Sequence, residues 1–167
     1  MISKKLEAAL NEQVALEAEA SFRYLAMASW CEQKTLHGCA KFYYNQADEE
    51  RMHMMKIFTY INSVGGLAIS PQVAHPKQSF KNIKEVVETS LKGEKEVTKS
   101  VHQLAELASK DKDYATYNFI QFYVDEQREE ETLFQDILDK ISLIGTAGMG
   151  LYYIDKEMDN IKPAKIA

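Results

Sequence analysis

The sequence predicts an all-α protein, a four-helix bundle with a long connection between its second and third helices and a short fifth helix near the C-terminus. Apolar residues recur at alternating steps of three and four residues through four long segments, which is typical of amphipathic helices packed at a shallow angle. The three prolines, Pro71, Pro76 and Pro163, leave residues 1–70 and 77–162 free of proline. Long helices are therefore permitted.

Turn-forming residues set the boundaries of the predicted helices. Gly65 and Gly66 end the second helix, Ser79 is the predicted N-cap of the third, and Gly145 ends the fourth. The predicted ranges are about 4–34, 39–64, 80–109, 114–144 and, for the short fifth helix, 149–160. Together they predict a single domain over residues 1–167.

Connection lengths predict the topology of the bundle. The first and third connections are only a few residues long, so they join antiparallel neighbours. The second connection, residues 65–79, could span roughly 45 Å when extended, which exceeds the roughly 40 Å length of the second helix. We therefore expect the chain to return along the whole bundle, so that the second and third helices are parallel.

Charge and composition exclude several classes of partner. The formal charge is -5, and the lysines and arginines are scattered, so the basic stripe that nucleic-acid binding needs is missing. No segment is apolar enough for a membrane span, and the N-terminus has no signal-peptide core. We expect a cytoplasmic protein with no nucleic-acid or membrane partner. The spacing of Cys31 and Cys39 matches neither a redox motif nor a zinc site.

Polar residues interrupt the apolar face of every predicted long helix near its middle. We call these residues the polar belt: Glu17, Glu50, His53, Glu94, Gln127 and Glu130. Each lies within about two residues, or roughly 3 Å along the axis, of the centre of its own helix. Whether neighbouring helices run parallel or antiparallel, the six side chains should therefore meet at one level of the bundle.

The polar belt needs positive charge to compensate it. An ionised carboxylate buried without a partner costs several kcal/mol, and four facing carboxylates also repel one another. No lysine or arginine occupies the buried faces, whereas two divalent cations would neutralise the four glutamates. The Glu50-x-x-His53 spacing puts both side chains on one helical face, and carboxylate oxygens with one imidazole suit iron or manganese. The pattern predicts a dinuclear metal site.

A second set of acidic residues lies beside the belt. Glu49 precedes Glu50, and Glu126 and Glu129 flank the belt positions of the fourth helix. We call Glu49, Glu126 and Glu129, together with the shared Glu130, the outer acidic cluster. Such a charge run is commonly a solvated helix face, although a metal leaving the belt would meet these carboxylates next. Both interpretations stay open at this stage.

With these residues, the chain resembles the bacterial non-haem ferritins over essentially its whole length. The resemblance implies a ferritin-like fold and a ferroxidase centre that binds two iron ions. Its first metal would be held by Glu17, Glu50 and His53. Its second metal would be held by Glu50, Glu94 and Glu130, with Gln127 alongside.

The resemblance also implies features beyond the dinuclear centre. It implies a third iron site at the outer acidic cluster, and it identifies Tyr24 with the tyrosine found beside the centre, either as a redox relay or as a core aromatic bonded to a glutamate. It implies a hollow homo-oligomeric shell of 24 subunits. Haem is not expected, because bacterioferritins bind it through a methionine directly after the ligand glutamate, where this chain has Arg51 and reaches Met52 one residue later.

The predicted function is iron storage, with oxidation of Fe(II) by dioxygen or peroxide. One alternative is an oxygen- or peroxide-activating di-iron enzyme that stores no mineral, and another is a non-catalytic bundle. An enzyme acting on an organic substrate would need a pocket beside the metals, yet the helices and connections use up the 167 residues. A bundle without metals would have no reason to keep four unpaired central glutamates.

Overall fold

The computed structural model describes residues 2–163 and contains five α-helices and no strand within that range. The helices are α1 (Lys4–Gln33), α2 (His37–Ser63), α3 (Ile83–Lys110), α4 (Tyr114–Ile144) and α5 (Met149–Asp159). The predicted all-α architecture is confirmed, and residues 1 and 164–167 of the predicted domain lie outside the described residues. None of the five helices in the described range combines the length and the apolar composition that crossing a membrane requires.

The predicted start of the third helix is wrong by three residues. The helix begins at Ile83, and Asn82, not Ser79, caps it: the Asn82 side chain accepts a hydrogen bond of 3.0 Å from the backbone N–H of Glu85. Phe80 is buried against Trp30, with ring centroids 5.8 Å apart, and Asn82 is still extended. The chain therefore stays extended until Phe80 has entered the core. In addition, α2 begins at His37, two residues earlier than predicted.

The cap gives a direct test of this start position. Replacing Asn82 with alanine removes the acceptor for an orphan helix N–H and should cost about 1 kcal/mol. We expect the thermal midpoint of the metal-free protein to fall by roughly 2–4 °C. Ser79→Ala is the matched control, because Ser79 is exposed and makes no side-chain hydrogen bond within residues 2–163. Equal effects of the two substitutions would contradict the observed cap.

Cross-helix hydrogen bonds confirm the predicted topology. The Ser21 hydroxyl donates to the Ala47 carbonyl (2.7 Å) and the Ile2 N–H donates to the Val64 carbonyl (3.4 Å), so α1 and α2 are antiparallel. Near the start of both α2 and α3, the Tyr43 and Ser90 hydroxyls lie 3.1 Å apart. The second and third long helices are therefore parallel, as the long connection predicts.

The first part of the long connection is held against α1 by the side chain of Asn11. The Asn11 amide donates to the carbonyl of Leu67 (3.0 Å) and accepts from the N–H of Ile69 (2.7 Å). This clamp satisfies two backbone groups that would otherwise lack partners in the secondary structure. It fixes the first half of the connection, and the buried Phe80 fixes its end.

The apolar core consists of two separate clusters, one on each side of the polar belt. One cluster contains Tyr24, Phe42 and Phe134 together with the apolar face of α5, which packs through Ile154 and Met158. The other contains the opposite ends of the long helices, including Leu10, Ile57 and Tyr123. The belt therefore lies at mid-height in the bundle, between two layers that exclude water from it.

Candidate metal centre

All six belt residues are buried, and they come from all four long helices. These residues are at most 5% exposed: Glu17, Glu50, His53, Glu94, Gln127 and Glu130. The structure therefore brings together the set that the central positions predicted.

The tightest group in the belt joins α1 and α2. Glu17, Glu50 and His53 each offer one possible ligand atom, and the three atoms lie within 4.8 Å of one another. The Nδ1 atom of His53 lies 3.4 Å from Oε2 of Glu50. Within residues 2–163, Oε2 of Glu17 and Oε1 of Glu50 have no hydrogen-bond partner, although both atoms are buried. Two buried carboxylate oxygens therefore lack the partner that burial ordinarily demands.

On the α3 and α4 side of the belt, the carboxylates are held by hydrogen bonds. The Gln127 amide donates to Oε2 of Glu94 (3.0 Å), and the Tyr24 hydroxyl donates to Oε1 of the same residue. The Gln46 amide donates to Oε2 of Glu130 (2.9 Å). Tyr24, which the resemblance to non-haem ferritins placed beside the centre, is therefore bonded to Glu94 from within the core.

Burial and mutual repulsion oppose ionisation of these carboxyl groups. Burial is the largest cause that raises the pKa of each of the four belt glutamates. The charge of Glu50 raises the pKa of Glu17 further, and the charge of Glu94 does the same to Glu50 and Glu130. Without cations, the site therefore tends to hold protons.

The environment of His53 acts in the opposite direction. Burial lowers the pKa of this imidazole, but the adjacent carboxylates of Glu126 and Glu50 outweigh it and raise the pKa to about 11. The adjacent imidazole of His53 correspondingly lowers the pKa of Glu126. His53 is therefore a positive charge within the belt while its partners remain ionised.

The outer acidic cluster is only partly assembled. Glu49, His53 and Glu126 offer ligand atoms within 4.8 Å of one another, and Nε2 of His53 lies 3.7 Å from Oε2 of Glu126. Glu49 is buried, the Glu126 side chain is 24% exposed and Glu129 is exposed outside this group. The helix face is therefore solvated only at its outer edge, and His53 adjoins both groups, which its spacing from Glu50 alone did not reveal.

Two glutamines contact the belt in roles that the sequence did not assign. The Gln13 amide donates to Oε1 of Glu17 (2.7 Å), and Gln46 supports Glu130 as described above. Both residues are buried. Each lies four residues before a belt glutamate, Glu17 or Glu50, and polar side chains at that spacing on a buried face are the signal that could have found them.

One cation near the belt was also missed, because Arg23 lies off the apolar face of α1. The ion pairs within residues 2–163 include none between a lysine or arginine and a belt carboxylate, as predicted. Arg23 nevertheless reaches the site: its guanidinium carbon lies 5.6 Å from the centre of the Tyr24 ring, and its charge lowers the pKa of Glu94 against the effect of burial.

Comparisons with known proteins agree with this geometry. A carboxylate and histidine cluster inside a four-helix bundle with a long crossover defines the class of ferritin-like metal proteins. The family model described as a ferritin-like domain matches residues 7–144. The chain therefore belongs to the ferritin family.

Individual relatives are similar over almost the whole chain. A probable bacterial non-heme ferritin-like protein of Haemophilus influenzae is 43% identical over 161 residues, which is 96% of this chain and 98% of the relative. A bacterial non-heme ferritin of Campylobacter jejuni is also 43% identical over 161 residues, covering 96% of each chain. An open pore ferritin of Archaeoglobus fulgidus superposes with a TM-score of 0.93 at 38% identity, covering 97% of this chain and 100% of that chain.

Proposed function

We propose that this chain is an iron-storage ferritin subunit that oxidises Fe(II) at the polar belt and stores the ferric product as mineral in a hollow homo-oligomeric shell. The observation that carries the proposal is the convergence of four buried carboxylates and one imidazole, with two carboxylate oxygens unpaired within the described residues. Oxygen-rich ligands with one imidazole suit iron. The relatives named as non-heme ferritins support the same metal.

The proposed centre binds two Fe(II) ions as substrate. Glu17, Glu50 and His53 hold the first ion, since their ligand atoms already lie within 4.8 Å of one another. The proposed ligands of the second ion are Glu50, Glu94 and Glu130, with Gln127 beside them. Glu50 thus serves both ions. Because only one ion has a nitrogen ligand, the two positions should differ in affinity.

The chemistry is a two-electron transfer to an oxidant. Two Fe(II) ions become two Fe(III) ions while dioxygen and two protons give hydrogen peroxide, or peroxide and two protons give two waters. The belt holds the ions side by side and excludes bulk water through the two apolar clusters. Its carboxyl groups, whose pKa values burial raises, give up protons as the ions bind.

The outer acidic cluster is the proposed next stop for iron. Possible ligand atoms of Glu49, Glu126 and His53 lie within 4.8 Å of one another. The charge of Glu49 also raises the pKa of Glu130. Glu130 belongs to both the belt and the outer acidic cluster, so it can pass ferric ions from the first to the second. Glu129 is exposed, so it is suited to complete a third site only once a cation draws it in.

Exposed apolar residues near the C-terminus support assembly into a shell. Leu143 is 86% exposed, and Met149, Tyr152 and Tyr153 are each more than half exposed on or beside α5. Several large apolar side chains exposed in one segment of the chain are typical of a protein interface. We propose that it forms contacts between identical subunits in a shell of 24 copies.

The first experiment measures iron retained per chain after aerobic addition of Fe(II) to the metal-free protein and separation on a sizing column. The expected result is far more iron per chain than the belt and the outer acidic cluster could bind, eluting together with a large particle. Iron that merely fills the belt on a small particle would overturn storage in favour of a di-iron enzyme. No retained iron would overturn metal binding altogether.

Glu94→Ala tests the proposed second ion. We expect the rate of Fe(II) oxidation to fall by more than about tenfold while the shell remains assembled, because losing a ligand should cost more than losing a residue that supports one. Stopped-flow absorbance of ferric iron measures the rate. Glu96→Ala is the control, since Glu96 is exposed two residues further along α3. A rate for Glu94→Ala equal to that of the control would refute the ligand role of Glu94.

A further inference from the structure

Gly93 lies in the middle of α3, where a glycine is unfavourable compared with alanine. The structure supplies a reason for it. A Cβ atom at this position would lie 2.5 Å from Cζ of Arg23 and within 2.7 Å of both terminal nitrogens. The whole guanidinium group therefore lies flat against the backbone of α3, in space that only glycine leaves free.

The same guanidinium contacts the residue that bonds Glu94. Its carbon lies 5.6 Å from the centre of the Tyr24 ring, and Tyr24 donates its hydroxyl hydrogen to Glu94. Gly93 directly precedes Glu94 in the chain. Arg23 therefore lies beside both partners of the Tyr24–Glu94 hydrogen bond, facing the Tyr24 ring and packing against the residue next to Glu94. Arginine stacks on an aromatic ring through its planar group, which lysine lacks.

Arg23 gains little from conventional partners. Its Nε atom is buried and has no hydrogen-bond partner in the part of the chain that the structure describes. It also makes no ion pair there with any carboxylate. Arginine placed near acidic groups usually pairs with one of them. Packing between Gly93 and Tyr24 therefore holds the group where it is.

We propose that Arg23 is a positioning residue: its guanidinium, seated against Gly93, holds the Tyr24 ring so that the Tyr24 hydroxyl stays bonded to Glu94 while the belt handles iron. This inference rests on the proposed function and deepens it. Arg23 touches neither the belt ligands nor the substrate ions directly. Its proposed effect on Glu94 passes through Tyr24, which donates its hydroxyl hydrogen to that carboxylate.

Two different substitutions should remove the contact in the same way. Arg23→Leu deletes the guanidinium, whereas Gly93→Ala keeps it and displaces it with a single methyl group. Arg23→Lys retains the charge but not the planar group. Lys95→Leu is the control, because Lys95 is an exposed cation adjacent to Glu94 on the solvent side of α3.

The first readout uses the metal-free protein and needs no iron chemistry. Arg23→Leu and Gly93→Ala should both change the near-ultraviolet circular dichroism of tyrosine, and neither should do so in a Tyr24→Phe background. Arg23→Lys should resemble Arg23→Leu, and Lys95→Leu should resemble the wild type. A change that persists in the Tyr24→Phe background would overturn the proposed contact with Tyr24.

The second readout is the initial rate of Fe(II) oxidation against Fe(II) concentration. We expect about a tenfold lower kcat with little change in KM for Arg23→Leu and for Gly93→Ala, and no further loss in the double variant. Additive losses, or rates within twofold of the wild type, would overturn the inference. If Arg23→Leu does not assemble, Gly93→Ala and Arg23→Lys carry the same comparison.

The two proposals fail in distinguishable ways. A wild-type protein that oxidises no Fe(II) would overturn the proposed function and this inference with it. A wild-type protein that oxidises Fe(II), with variants that match it, would overturn only the role of Arg23.

Discussion

Replacing Glu50 with glutamine should slow aerobic oxidation of Fe(II) by about 100-fold or more, because even the loss of a residue that supports a ligand costs about 10- to 100-fold. Glu50 is the carboxylate between the two halves of the belt: Oε2 lies 3.4 Å from His53, Oε1 is unpaired within residues 2–163, and the charge of Glu94 acts on it. Glutamine keeps the shape and removes the charge. Both proposed ions lose a ligand in this variant, whereas Glu94→Ala affects only one.

The measurement is the initial rate of ferric absorbance after rapid mixing with dioxygen-saturated buffer. Asp48→Asn is the matched control, because Asp48 lies two residues earlier on α2 and is exposed. We expect the control to oxidise Fe(II) like the wild type and both variants to elute as assembled particles. A Glu50→Gln rate within about threefold of the wild type would remove Glu50 from the centre, since losing a shared ligand should cost far more.

The metal-free protein should become less stable as the pH rises from about 5 to about 8. Burial raises the pKa of the four belt glutamates, so the folded protein keeps protons that the unfolded chain, with glutamates near 4.3, has already released. This stabilisation is fully present at pH values below the pKa of glutamate in the unfolded chain. It is lost as the pH rises through the higher pKa values that the belt glutamates have in the folded protein. Each extra proton changes the free energy of unfolding by about 1.4 kcal/mol per pH unit.

His53 and Glu126 do not reverse this sign in the chosen window. The pKa of His53 is raised to about 11, so its contribution is also lost as the pH rises. The adjacent His53 lowers the pKa of Glu126, and the contribution of Glu126 to stability is lost only as the pH falls below the usual glutamate range. The change in the free energy of unfolding with pH between pH 5 and 8 is therefore determined by the belt residues.

Denaturant titrations of the metal-free protein at several pH values measure this slope. A triple variant with Glu17, Glu50 and Glu130 replaced by glutamine should flatten it. Adding Zn²⁺, a cation without redox chemistry, should also flatten it and release protons, which a pH indicator detects. Stability that increases with pH in the metal-free wild type would contradict the raised pKa values.

The repeat of apolar residues and the turn-forming glycines were sufficient to predict the fold. Gly65 and Gly145 have positive φ values of 80° and 83°, and the second and fourth long helices end beside them. The start of α3 was predicted wrongly because both Ser79 and Asn82 are good caps. Only the burial of Phe80 against Trp30, a contact between distant parts of the chain, decides between them.

The belt could be predicted because charged residues are rare on buried helix faces. It could also be predicted because the constant rise per residue of a helix fixes how far along the bundle each residue lies. The contact of His53 with Glu126 and the packing of Arg23 against Gly93 could not be predicted in the same way. They depend on side chains from neighbouring helices meeting at particular angles, and the apolar repeat does not specify those angles. Gly93 was visible in the sequence, but its meaning required the position of Arg23.

The two-sided contact of His53 determines how the imidazole can bind a metal ion. A neutral imidazole has one nitrogen with a free lone pair and one that carries hydrogen. If Nδ1, which faces Glu50, gives its lone pair to iron, Nε2 must carry the hydrogen and direct it toward Oε2 of Glu126, 3.7 Å away. Glu126 would then select the tautomer and orient the ring, so loading of the belt and the availability of Glu126 to a departing ion would be coupled.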